Sequence, residues 1–259
     1  MQLPMLANKY NETKATWPAY IQPKLDGVRC LHSNEETYTR NQKPHAEHIR
    51  KLLLDRLNFL RDGRTLDGEL MLAGCTFQGT VSAVKKDGVK THLLEYHVYD
   101  FMDDGPFRER KLGLPAIGCP RIIPVQTLIC LNAKQFKVYA QRFIKQGYEG
   151  AIYRSRDGLY KHGRSGRDLL KYKEFQDAEF AIVGYNEGQG KDAGTPVFVC
   201  MTADDQKFCC RPKGGYEYRR KLWADRESLT GKLLTVRFQE LTDSGVPRFP
   251  VGVEIRNYE

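Results

Sequence analysis

The stretch Gln22-Pro23-Lys24-Leu25-Asp26-Gly27-Val28-Arg29 gathers an amine, a carboxylate and a guanidinium around an Asp-Gly bend. A lysine titrates near pH 10.4 and is no nucleophile while it keeps its proton. Making it half neutral near pH 7.5 requires a shift of about three pH units, or roughly 4 kcal/mol. Burial and nearby positive charge both act in that direction. Arg29 supplies such charge, as do Lys171 and Lys173 in Leu169-Leu170-Lys171-Tyr172-Lys173, whose alternate positions on a strand would put both amines on one face. Two carboxylates each stand beside a glycine, Glu69 in Leu66-Asp67-Gly68-Glu69-Leu70 and Glu149 in Tyr148-Glu149-Gly150. Glycine lets backbone approach a ligand closely, and strand-end carboxylates can hold a hard cation such as Mg²⁺ through oxygen. Singly, each of these short runs reads as a turn.

The elements that must position these groups follow from apolar spacing. Ile49, Leu52, Leu53, Arg56, Leu57 and Leu60 recur near helical spacing and predict a helix over 45–60. A second helix is expected over 132–147, capped by Asn132, with Phe136, Tyr139, Phe143 and Ile144 on one face and Gly147 as its stop. Residues 64–72, 93–102, 148–155 and 169–175 read as strands. After Phe175 the texture becomes β-rich, with strands expected over 179–185, 195–201, 207–212, 233–241 and 249–256 and a helix near 215–228. Five short strands and one helix in about 80 residues suit a small closed barrel, of which the OB-fold is one form. Two domains are therefore expected, 1–175 and 176–259.

Composition narrows the partners. With 41% hydrophobic and 28% charged residues, the 259-residue chain is ordinary globular protein. Lys plus Arg outnumber Asp plus Glu by 41 to 32, a net charge of +9 that favours polyanions such as nucleic acid or anionic lipid. Seven cysteines without a C-x-x-C pair fit poorly with a full disulfide framework and point to a reducing, cytoplasmic setting. The first residues lack a signal-peptide pattern, and no segment approaches the roughly 18 apolar residues of a membrane span, so no membrane partner is expected. The run Gly184–Gly194 lacks the spacing of a phosphate-binding loop and reads as a hairpin turn. His45 and His48 have no third ligand near and read as surface residues, while Cys200, Cys209 and Cys210 read as small apolar fillers of barrel strands.

Taken in order, KLDGVR, LDGEL, VYDFM, EGAIYR and LLKYK resemble the successive signature motifs of the covalent nucleotidyltransferases, and specifically of small ATP-dependent DNA ligases of viruses and bacteria. The resemblance runs from about residue 20 to 175 and, more weakly, to the C-terminus. It implies an α+β nucleotidyltransferase (adenylation) domain of antiparallel sheets with helices, followed by a small OB-fold β-barrel. Lys24 would then take AMP as a phosphoramidate. Arg29 would contact ribose or phosphate, Arg40 phosphate, Glu69 the ribose or a metal, and Glu149 a metal. Phe101 would stack on adenine, Gln22 would touch the same base, and Lys171 and Lys173 would hold the α-phosphate. The cofactors implied are ATP and Mg²⁺ or Mn²⁺, and the partner is nicked double-stranded DNA, bound by a monomer through the loop 155–168 and the basic run 216–223. The alternative is an RNA ligase or mRNA capping-type nucleotidyltransferase; a non-catalytic OB-type nucleic-acid binder is opposed by the intact set Lys24, Glu69, Glu149, Lys171 and Lys173. One departure stands out: the family's last motif, Arg-x-Asp-Lys, is answered here only by Arg256 in a chain ending Glu-Ile-Arg-Asn-Tyr-Glu.

Overall fold

A computed structural model describes residues 2–33, 36–57, 63–114, 120–242 and 244–256. Leu60, Cys119 (one of the seven cysteines) and Asn257 to Glu259 lie outside the described residues. The strands are β1 (Met5–Leu6), β2 (Asn8–Lys9), β3 (Ala19–Lys24), β4 (Val28–Ser33), β5 (Glu36–Thr39), β6 (Thr65–Leu72), β7 (Leu94–Phe101), β8 (Ile122–Pro124), β9 (Leu128–Cys130), β10 (Gly150–Ser155), β11 (Gly163–Arg164), β12 (Leu169–Tyr172), β13 (Gln176–Glu187), β14 (Pro196–Met201), β15 (Lys207–Pro212), β16 (Leu233–Phe238) and β17 (Val251–Arg256). The helices are α1 (Glu47–Leu57), α2 (Phe77–Lys85), α3 (Phe107–Arg110), α4 (Ala133–Lys145), α5 (Tyr216–Ala224) and α6 (Arg226–Leu229).

The chain divides into two compact units between Tyr172 and Lys173, three residues ahead of the expected boundary. The reason is local. Tyr172 ends β12 with its ring edge-on to Tyr10 and Phe136, whereas the Lys173 amine donates to Gln239 Oε1 at 3.0 Å inside the second unit.

In the first unit two five-stranded sheets run in the orders β2-β12-β10-β3-β9 and β5-β4-β6-β7-β8, mostly antiparallel with parallel pairs at β2/β12 and β7/β8. Each has its own core. Against the first, α4 buries Phe136, Ala140 and Phe143, and Tyr10 stacks on Phe136 at 4.6 Å. The expected caps hold: the Asn132 side chain accepts from Gln135 N–H, and Gly147 takes φ +89°, a left-handed value that suits glycine. Against the second sheet, α1 buries Ile49, Leu52, Leu53 and Leu57, the face that its spacing predicts.

The second unit is a closed barrel in the order β13-β14-β15-β17-β16, with β15 and β17 parallel and α5 and α6 between β15 and β16, the topology of an OB-fold. Cys200 and Cys210 are buried in it as expected, but Cys209 alternates to the exposed face of β15. The histidine expectation also changes. His45 is buried with Nε2 3.2 Å from the Arg29 carbonyl, and His48 reaches the Val84 carbonyl at 3.1 Å, so both tie α1 and its approach to their surroundings.

Candidate active site

Lys24 is the last residue of β3, in register with Gly150 of β10. The Glu149 N–H donates to the Lys24 carbonyl at 3.0 Å, and the Lys24 amine in turn donates to the Glu149 carboxylate. Four residues later the chain enters β4, having turned through Asp26-Gly27. Gly27 is required by space: a Cβ there would lie 2.4 Å from the Leu70 carbonyl oxygen. Gly68 is required in the same way, because its Cβ would stand 2.5 Å from the His97 carbonyl oxygen. These two close approaches let β4, β6 and β7 carry Arg29, Glu69 and His97 side by side in direct register.

Electrostatics concentrate on the lysine. Burial lowers the Lys24 pKa; Glu69 and Asp26 pull it back up, and Arg40 lowers it further. Burial pushes the Glu69 carboxyl up to about 7, against the opposing pull of Lys24 and Arg29. Lys171, on β12 opposite Ile152, is lowered first by burial and then by the like charges of Lys24, Arg40 and Arg164. These amines and guanidinium groups therefore share one field, and an anion is what relieves it. Glu69, Glu149, Arg29, Arg40 and Lys171 are thus brought around Lys24. Lys173 is not on the strand with Lys171, which ends at Tyr172, and falls in the second unit.

Two expected base contacts are corrected. Phe101 is 1% exposed in the core of the second sheet, its ring beneath the Arg64 guanidinium at 4.2 Å. The reason is a β-bulge: Asp67 pairs with Asp100 and Gly68 with Val98, leaving Tyr99 unpaired. A bulge resets the alternation of a strand. Tyr99 keeps the Arg29 and Glu69 side that His97 shares while Phe101 turns into the core, and the Arg29 and Arg154 guanidinium carbons are each 5.6 Å from the Tyr99 ring centre. Gln22 is 1% exposed and bonded through both amide atoms to protein: Nε2 donates to the Tyr99 carbonyl at 3.1 Å and to Thr127 Oγ1 at 2.9 Å, and Oε1 accepts from Arg154 Nε at 2.6 Å.

Sequence reasoning missed the layer beneath these groups. Asp67 and Asp100, opposed in register and 1% and 0% exposed, are each held by arginine. Asp67 accepts from Arg29 Nε at 2.9 Å and Nη2 at 2.5 Å, while Asp100 accepts from Arg110 Nε at 2.8 Å and Nη2 at 3.0 Å and from Arg154 Nη1 at 2.5 Å. The forked geometry fixes the guanidinium planes, which a single amine could not do. The only signal in the sequence was the aspartate inside LDGEL and VYDFM.

The pattern of the family described as ATP dependent DNA ligase domain matches residues 4–173. The chain belongs to that family. A second pattern, DNA ligase OB-like domain, matches residues 187–256, within the barrel unit. The DNA ligase of African swine fever virus is 30% identical over 280 residues, covering 94% of this chain and 66% of the viral protein. That of Enterobacteria phage T4 is 29% identical over 244 residues, covering 70% of this chain and 50% of the phage protein. The chain thus spans less than two thirds of the length of these relatives. Among solved structures, one from a study of Lig E DNA ligases superposes with a TM-score of 0.84 at 22% identity, covering 99% of this chain and 100% of that one, a likeness of fold. A Chlorella virus DNA ligase-adenylate gives 0.58 at 28% identity, covering 100% and 99%.

Proposed function

We propose that the chain is an ATP-dependent DNA ligase that seals nicks in duplex DNA through a lysine-AMP intermediate. The observation that carries this reading is Lys24 itself: a half-buried amine whose affinity for its proton is lowered, hydrogen-bonded to Glu149 and surrounded by Glu69, Arg40 and Lys171. In the first step the Lys24 amine, its proton released, attacks the α-phosphorus of ATP in line and displaces pyrophosphate. Arg40 and Lys171 offset the negative charge on the α-phosphate oxygens, and Arg29 and Glu69 hold the ribose side. Tyr99, rather than Phe101, packs on the adenine. The AMP then passes to the 5′-phosphate of the nick, and the 3′-hydroxyl attacks that phosphate and expels AMP.

Glu69 and Glu149 fit a divalent ion in one specific way. Among the described residues no group of three or more His, Cys, Asp or Glu forms a self-sufficient cage. Two carboxylates flanking Lys24 instead match Mg²⁺, which takes one or two carboxylates and completes its shell with substrate phosphates and water. Such an ion would neutralise charge building on the pyrophosphate.

DNA contact is assigned to the loop following β10 and to the OB unit. There Phe249 is 63% exposed with φ +54°, a backbone strain that a bulky residue keeps at functional surfaces, and Arg248 lies over its ring at 5.5 Å. The test is incubation with α-labelled ATP or GTP and Mg²⁺, then a chase with nicked duplex. ATP label should attach and be discharged as the nick is sealed. Labelling from GTP alone, or discharge only onto RNA ends, would favour the capping-type or RNA ligase alternative.

A further inference from the structure

Tyr160 lies in the connection between β10 and β11, 7% exposed, with its ring against Met5 and Leu169. Its hydroxyl makes two bonds. It accepts the Met5 N–H at 3.0 Å and donates to Asp67 Oδ2 at 2.6 Å. That same oxygen receives Arg29 Nη2, and Asp67 Oδ1 receives Arg29 Nε. The Asp67 carboxylate is therefore held between a guanidinium on the nucleotide face and a phenol from a distant loop, 93 residues further along the chain. The loop is itself anchored, since Arg110 Nη1 donates to the Gly158 carbonyl at 3.1 Å and the Phe107 N–H to the same carbonyl at 3.0 Å. A carboxylate with no fixed partner opposite its arginine can rotate about its side-chain torsions and take the guanidinium with it. One held by a buried, anchored hydroxyl cannot.

We propose that Tyr160 is a positioning residue of the nucleotide site, fixing the Asp67 carboxylate so that the Arg29 guanidinium stands ready for the ribose or phosphate of ATP. The inference rests on the lysine-adenylation reading above. Because Arg29 holds bound nucleotide rather than the reacting amine, loss of the hydroxyl weakens ground-state binding and appears in KM rather than in the saturating rate.

The experiment compares wild type with Tyr160→Phe, which keeps the ring and removes only the hydroxyl. Enzyme-AMP formation from α-labelled ATP is followed against ATP concentration, on protein whose folded fraction is measured by circular dichroism. The expected result is a rise of about tenfold in KM, with the saturating rate changed by less than about threefold. A purely structural role would lower the melting temperature and the active fraction but leave KM unmoved. In an Arg29→Lys background Tyr160→Phe should add less than about twofold, since the hydroxyl acts through Arg29. An unchanged KM, or a full tenfold addition in that background, overturns the proposal. Should Tyr160→Phe not fold, Asp67→Asn tests the other end of the bond: a KM-selective rise supports the proposal and an unchanged KM overturns it. A wild-type protein that takes no label refutes the adenylation reading itself, and this is seen before any variant is compared.

Discussion

Replacing Phe101 and Tyr99 in turn separates the two aromatic roles that the bulge in β7 sets on opposite faces. Phe101 is 1% exposed among Leu66, Leu70, Leu53 and Leu57, so Phe101→Ala leaves a cavity where a full ring was packed. Such a truncation costs about 3–5 kcal/mol, a large share of the 5–15 kcal/mol that ordinary domains possess. For a unit of this size that is a fall of roughly 6–20 °C in melting temperature. Tyr99 belongs to none of the core clusters and faces Arg29 and Glu69, so Tyr99→Ala should cost less stability. It removes instead the surface on which a base would lie, worth about 1–3 kcal/mol, a rise of roughly 5- to 150-fold in KM for ATP. The assays are a thermal melt and the ATP dependence of enzyme-AMP formation, run on both variants. The reasoning is refuted if Phe101→Ala raises KM while melting like wild type, or if Tyr99→Ala leaves KM unchanged.

Glu69 makes stability depend on pH. Its carboxyl, pushed up by burial from 4.5 to about 7, is held protonated more tightly in the folded protein than in the unfolded chain, so its contribution is full below about pH 4.5 and is lost as the pH rises through 7. The loss is at most roughly 3 kcal/mol at 1.36 kcal/mol per pH unit, lessened by the partial exposure of the side chain. Glu69→Gln should therefore melt above wild type at pH 8, with the gap narrowing at pH 5; a gap equal at both values contradicts this. Asp100→Asn strips the countercharge from Arg110 and Arg154, whose side chains are 2% and 4% exposed. Breaking a buried pair in this way costs about 3–5 kcal/mol, and chemical denaturation showing a loss under about 1 kcal/mol would contradict the assignment.

Where a structural feature was local, the residues announced it. The α4 cap and its buried stripe, the five barrel strands, and the gathering of Arg29, Glu69, Glu149 and Lys171 at Lys24 all rest on short-range spacing or on ordered motifs. α2, capped by Thr76, passed unnoticed because its Gly79 and β-branched residues blur a helical reading. The bulge at Tyr99 was illegible because strict alternation would put Tyr99 and Phe101 on one face, and only the pairing partner reveals the extra residue. The Asp67 and Asp100 layer was hidden for a related reason: its partners Tyr160, Arg110 and Arg154 lie 93, 10 and 54 residues away, and no local pattern records a pairing across sheets. Gln22 shows the same limit, since its place beside Lys24 was evident while its bonds to Arg154 and Thr127 were not.

The central claim is that Lys24 carries the adenylate, and the most direct measurement is intact-protein mass spectrometry after incubation with ATP and Mg²⁺, followed by peptide mapping. The account predicts one AMP adduct, located on Lys24, absent from Lys24→Ala and discharged when nicked duplex DNA is added. An adduct on another residue, an adduct that survives in Lys24→Ala, or none at all would contradict it.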